Sequence, residues 1–202
     1  MPVSAGVAIF GVPRRVLRND RLMDREPPGD GDGTRLRLRP LRPEDERAFV
    51  AAHRAMAAED FTFGLGYADG MRWLEYLDHL DRWCRGIAVP EGFVRSVLLV
   101  ADVHGEIVGR SSIRFALNDL LAREGGHVGY CVLAEQRRRG YATEILRQSL
   151  VIARAGGVDR VLVTCDEDNM GSATVIERCG GVFESVVEDT RDGPPKRRYW
   201  ID

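Results

Sequence analysis

Lysine is almost missing from this chain: among its 29 basic residues only Lys196 is a lysine. The remaining basic groups are arginines, and 31 acidic residues offset them to a formal charge of -2. No global positive field would draw such a chain onto nucleic acid, so DNA binding is not the expected main task, and a nucleic-acid binder is a third and weak reading. Cysteine is also scarce. Cys84, Cys131, Cys165 and Cys179 form no C-x-x-C pair, and no histidine stands at zinc-ligand spacing, which argues against a disulfide framework or a metal site. A reduced cytoplasmic setting is the expectation. The apolar run of residues 3–12 is too short to span a bilayer and lacks a basic segment before it, so neither a membrane span nor a secretory leader is expected.

What the chain does have is enough apolar content to fold. Its 202 residues are 44% hydrophobic and 30% charged, values of a globular domain with one core and an appendage. Pro27-Pro28-Gly29-Asp30-Gly31-Asp32-Gly33 reads as a turn-forming linker. It divides an N-terminal extension, residues 1–33, from a domain over residues 34–202.

Within that domain, Leu36 and Leu38 alternate with arginines as in a strand with one buried face. Arg42-Pro43-Glu44-Asp45 opens a helix, proline and acids suiting its first turn. A second helix is expected over residues 70–85, with apolar residues mostly three and four apart. Runs 94–103 and 106–115 flank His104-Gly105 and predict a hairpin. Further strands are expected at 126–133, 160–165, 182–188 and 196–201, and further helices at 141–155 and 171–179. The order predicts an α/β (α+β) fold, a mixed and mostly antiparallel sheet of about seven strands flanked by helices.

The chemically informative segment is the strand, turn and helix start from His127 to Thr143. Its turn, Arg137-Arg138-Arg139-Gly140-Tyr141-Ala142-Thr143, predicts an anion cradle. Amides of a first helical turn have no partners inside the helix, the helix dipole is positive there, and the small Gly140 and Ala142 allow a diphosphate to approach. A P-loop is excluded because no Gly-Lys-Ser/Thr follows, and a dinucleotide fingerprint would need three glycines.

Arg137-x-x-Gly140-x-Ala142 after a strand resembles the Gln/Arg-x-x-Gly-x-Gly/Ala signature of the GNAT acetyltransferases. Asp168-Asn169, Ser172, Val175-Ile176-Glu177 and Gly180-Gly181 resemble that family's second cofactor motif. Likeness runs from about Thr34 to Ile201, towards a bacterial branch of predicted acetyltransferases. The resemblance implies the acyl-CoA N-acyltransferase fold, acetyl-CoA as donor and a primary amine as acceptor. It implies cofactor contacts from Val132, Leu133, Arg137, Arg138, Arg139, Gly140, Tyr141, Ala142, Thr143, Asn169 and Ser172.

It also implies a thioester lying along the strand of Val132 and Leu133, whose N–H groups are the expected oxyanion donors. Relatives place a tyrosine acid where this chain has Ile176, which leaves Ser172, Tyr130 or water to protonate the thiolate. His127 is the candidate base, with Glu124 as another contender, and the competing reading of His127 is a packed or hydrogen-bonded structural histidine. For Asn169 the competing reading is a helix cap, which is compatible with function because a capped helix diverging from the neighbouring strand helps open a slot for the pantetheine arm. Phe61, Phe63 and Tyr67 belong to the acceptor side or the core. Arg114 and Asn118 either meet a polar or carboxylate-bearing acceptor or, for Arg114, pair with Asp119 or Glu124. The rival to an enzyme is a non-catalytic acyl-CoA-binding sensor or interaction module.

Overall fold

The computed structural model describes residues 36–191 and 193–202, so the extension and its linker lie outside the described residues. A seven-stranded sheet runs in the order β1-β2-β3-β4-β5-β7-β6. Its strands are β1 (Arg37–Arg39), β2 (Ser96–Val103), β3 (Glu106–Arg114), β4 (Val128–Val132), β5 (Val161–Asp166), β6 (Val182–Val187) and β7 (Lys196–Ile201). Among the described residues four α-helices cover it: α1 (Glu46–Ala57), α2 (Trp73–Cys84), α3 (Tyr141–Ala155) and α4 (Met170–Arg178). All neighbouring strands pair antiparallel except β4 and β5.

Helices lie on both faces of the sheet, and this explains why β2 is buried along nearly its whole length instead of alternating. On one face α3 and α4 bury Ile145, Leu146 and Ile176 against Val128, Val163 and Tyr199. On the other, α1, α2 and their connection bury Phe49, Phe63, Trp73 and Tyr76 against Leu98 and Val100. Phe63 and Tyr67 therefore belong to an aromatic cluster around Phe49, the core reading of those residues. The β2–β3 turn carries His104 and Gly105 at φ 53° and 89°, the left-handed pair that a two-residue hairpin requires.

One irregularity positions the site. β4 and β5 are registered only at Val128↔Val163. The two strands are tied there by His127, whose N–H donates to Leu162 O at 2.7 Å while its Nδ1 accepts the Leu162 N–H at 2.9 Å. Beyond that point they diverge into a fork. A short π-helical turn, Leu121–Gly125, precedes the fork and is a feature the sequence pattern does not predict. Asn118 caps it, accepting the Leu121 N–H at 2.9 Å, which gives Asn118 a local structural task.

Candidate functional site: an anion cradle beside a forked sheet

A cleft of about 440 Å³ opens where the fork meets the start of α3 and one face of α4. Its walls include Val132 from β4, Arg137, Arg138, Gly140, Ala142 and Thr143 from the turn, and Gly171, Thr174, Val175 and Arg178 from α4. The α4 residues fall three, one and three apart, a single helix face. Arg178, Thr174 and Gln136 are wall residues that motif reading misses. Helical spacing from Gly171, three and seven residues on, reaches Thr174 and Arg178, but only once the inward face of α4 is known.

The turn is built to leave amides free. Arg137 N–H donates to Ala134 O, and the next backbone donation in the chain is Thr143 N–H to Gly140 O at 3.1 Å. Among the described residues, the five amides from Arg138 to Ala142 have no hydrogen-bond partner. Arg138 at φ 66° and Gly140 at φ 82° bend the chain through the left-handed region. Alternation of this kind turns successive N–H groups into a concave nest. A Cβ at Gly140 would meet nothing within 4 Å, so the space beside it is open for a ligand. A diphosphate fits such a cradle because unpartnered amides, the α3 dipole and the Arg138 guanidinium all favour negative charge.

The residues expected to contact the cofactor divide into groups. Arg137 turns its guanidinium away from the cradle, donating Nε–H to Val132 O at 3.1 Å and pairing with Glu59 of the α1–α2 connection. Its place in the signature is therefore explained by bracing. Arg139 donates to Glu135 O at 3.3 Å. Tyr141 is buried in the core, leaving its amide as its contribution. Asn169 caps α4, its Oδ1 accepting the Ser172 N–H at 2.9 Å.

On β4, Gly109 and Val132 face each other without exchanging hydrogen bonds, and Leu133 N–H donates to Val108 O at 2.9 Å. The Leu133 amide is thus consumed by β3 and is unavailable as an oxyanion donor. Strand alternation then aims the Val132 N–H to the opposite edge, into the fork. Tyr130 and Ser172 meet across the fork, Oη to Oγ, at 2.8 Å. Burial is the largest influence on Tyr130 and raises its pKa well above that of an ordinary phenol, so it stays a proton donor. Cys165 of β5, also next to Ser172, is pushed up to about 11, again mainly by burial. Ile176, where the resemblance would place a tyrosine, is fully buried in the core.

His127 does not fit the role of base. It is buried, and the lone pair of a neutral imidazole that could take a proton is already occupied by the Leu162 N–H. Burial and then the charge of Arg114 lower its pKa. Glu124, the alternative, accepts the Thr190 N–H at 2.8 Å and fastens the β6–β7 connection. His127→Gln, which can still accept the Leu162 N–H, should keep kcat, whereas His127→Leu strands that amide and costs about 1–3 kcal/mol in urea unfolding. Because the folded pKa lies below about 6.5, the stability His127 contributes is present above that pH and lost on acidification. The glutamine variant should flatten that loss. A fall in its kcat of about a hundredfold would restore the base assignment.

A cradle of free amides at a helix start beside a forked β4–β5 pair is the arrangement expected of an acyl-CoA N-acyltransferase. The sequence model of the acetyltransferase (GNAT) domain matches residues 35–182. The chain belongs to the GNAT acetyltransferase family. It is an acetyltransferase with acetyl-CoA as acyl donor.

Solved structures agree in fold. A GNAT-family acetyltransferase from Streptococcus pneumoniae is 18% identical with a TM-score of 0.58, over 83% of this chain and 98% of that one. Mycobacterium smegmatis RimJ in complex with CoA-disulfide is 22% identical with a TM-score of 0.59, over 82% of this chain and 81% of that one. The Salmonella typhimurium putative acetyltransferase yncA, solved with acetyl-CoA, is 13% identical with a TM-score of 0.56, over 82% and 92% respectively. No curated protein matches the chain. Among the described residues no helix is long and apolar enough to cross a membrane.

Proposed function

We propose that this GNAT acetyltransferase moves the acetyl group of acetyl-CoA to a primary amine, with the pyrophosphate held by the amides of Arg138 to Ala142. The observation that carries the reading is that run of five unpartnered N–H groups at the start of α3. Arg138 and Arg178 add positive charge on the walls, for the pyrophosphate and the further phosphate of the donor. The pantetheine arm follows the fork, and the Val132 N–H is the donor that meets the thioester oxygen as charge develops on it. Four unpaired thiols suit a reducing cytoplasmic setting.

In the transfer a neutral amine attacks the thioester carbon, the new C–N bond forms and the C–S bond breaks. The thiolate takes a proton from Ser172 Oγ–H as Tyr130 Oη–H passes its own to Ser172 across their 2.8 Å contact, and the proton released by the ammonium returns through solvent to Tyr130, so the relay ends as it began. Ser172→Ala should lower kcat by about 10–10² with little change in acetyl-CoA affinity, and Tyr130→Phe should lower it less. Burst and steady-state release of free thiol measures this. Wild-type kcat in Ser172→Ala would remove the serine from the chemistry.

A further inference from the structure

The face of the sheet opposite the cleft holds an unusual charge arrangement. Arg110, Ser112 and Arg114 alternate along β3 and project to the α1–α2 side, where β4 presents Gly129 opposite Ser112. Arg110 is fully buried, donating Nη1–H to Gly129 O at 2.9 Å and Nη2–H to Thr62 O at 2.7 Å, with the Phe61 ring 4.7 Å from its guanidinium carbon. Its Nε and the Oγ of Ser112 have no hydrogen-bond partner although both are buried. Arg114 uses only Nη1, on the carbonyls of Gly125 and Gly126 at 2.9 and 3.1 Å. Among the described residues, neither arginine has a carboxylate partner. Asp119 and Glu124, the acids expected to pair with Arg114, do not.

Two guanidiniums therefore converge over the one β4 position without a side chain. A Cβ on Gly129 would lie 3.4 Å from Arg114 Nη2 and 3.8 Å from Arg110 Nη1. Like charges this close, Arg110 buried and Arg114 half-buried, with neutral carbonyls as their hydrogen-bond partners, are costly unless an anion joins them. Burial and then the charge of Arg110 lower the Arg114 pKa to about 10. The fork is a break in the sheet just beyond Gly129, so an amine entering from this face and a thioester lying on the other can meet through it.

We propose that Arg114, reinforced by Arg110 and Ser112 beneath it, binds an anionic group carried by the acceptor, so that the amines acetylated are carboxylate- or phosphate-bearing ones. The acetyl-transfer part of this rests on the proposed function; the anion site itself does not. A bidentate or charge-assisted contact to the free Nη2 and Nε of Arg114 supplies orientation as well as affinity. Gly129 keeps the space for it.

The test has a binding arm and a turnover arm, both on the full chain. In the first, with the cradle at the start of α3 filled by saturating CoA, melting temperature is followed while chloride is replaced by acetate or by inorganic phosphate at constant ionic strength. Stabilisation by one of them in the wild type, abolished in Arg114→Gln and weakened in Gly129→Ala, is the expected result, and the more effective anion identifies the group. No stabilisation by either anion, or stabilisation that survives both substitutions, overturns the proposal. Gly129→Ala leaves both arginines in place, which guards against a folding defect in Arg114→Gln. In the second arm, free amino acids are compared with their carboxamides, and phosphoethanolamine with ethanolamine, by thiol release from acetyl-CoA. The charged member should be preferred at least about tenfold. Equal rates with the neutral members would overturn the proposal while leaving acetyl transfer intact. Failure of acetyl-CoA itself to bind, measured separately by calorimetry, would strike the proposed function and not the anion site.

Discussion

Gly140→Asp is expected to fold and to lose measurable affinity for acetyl-CoA. Gly140 sits at φ 82° in the middle of the five free amides, and a side chain there would project into space that is open on all sides within 4 Å. The aspartate places a carboxylate where an anion would sit, at the positive end of α3. Replacement of attraction by repulsion within hydrogen-bonding distance is worth several kcal/mol, hence a loss of about 10³ or more in affinity. Gly140→Ala separates the two parts of the effect. It meets the same left-handed backbone, costing about 1–2 kcal/mol of strain, without the charge. Calorimetric titration of both variants should show the alanine variant weakened and the aspartate variant silent. Equal affinities for wild type and Gly140→Asp would move the pyrophosphate elsewhere.

The largest stability effect is expected at the root of the fork. Gly126 has φ 62° and ψ -176°, a region essentially reserved for glycine, and a Cβ there would lie 2.6 Å from Leu162 O. That carbonyl accepts the His127 N–H at 2.7 Å, one of the bonds joining β4 to β5. Gly126→Ala therefore has to push apart the strands exactly where they are tied, at a cost of about 3 kcal/mol or more. For a domain of this size that corresponds to a fall of about 6–12 °C in melting temperature. Acetyl-CoA affinity should fall with it, because the fork changes shape when its root moves. An alanine variant melting with the wild type would mean that His127 and Leu162 do not anchor the fork.

Local signals carried most of the architecture. The helix at 141–155 and the strand at 196–201 coincide with their patterns, because one is a clean amphipathic stripe closed by Gly156-Gly157 and the other follows a turn. The helix expected at 70–85 is shorter, spanning Trp73–Cys84. The expected start of β4 at Gly126 shifts to Val128, since Gly126 and His127 are occupied in making the junction with β5. The π-helical turn is not legible because the contacts that start it, Leu121 N–H to Asn118 Oδ1 and Ala122 N–H to Asn118 O, have no periodic signature.

The site was legible in its backbone and much less so in its side chains. Small residues at 140 and 142 after a strand announce an anion cradle, and the structure provides free amides there. The direction of an arginine is different, since it depends on partners distant in sequence. Arg137 is claimed by Glu59, 78 residues away. Tyr130 finds Ser172 and Arg110 finds Thr62 by the same long-range packing, which no local pattern encodes. His127 looked like a base because imidazole titrates near neutrality. Its lone pair faces Leu162, a contact that exists only when β4 and β5 come together.

The central claim, that backbone amides from Arg138 to Ala142 receive the pyrophosphate, is tested most directly by residue-resolved amide NMR during titration with CoA and, in parallel, with pantetheine, which lacks the pyrophosphate. The account predicts that CoA shifts the amides of these five residues most strongly, and that pantetheine leaves them in place while moving Val132. Five unmoved amides in the presence of saturating CoA would contradict it.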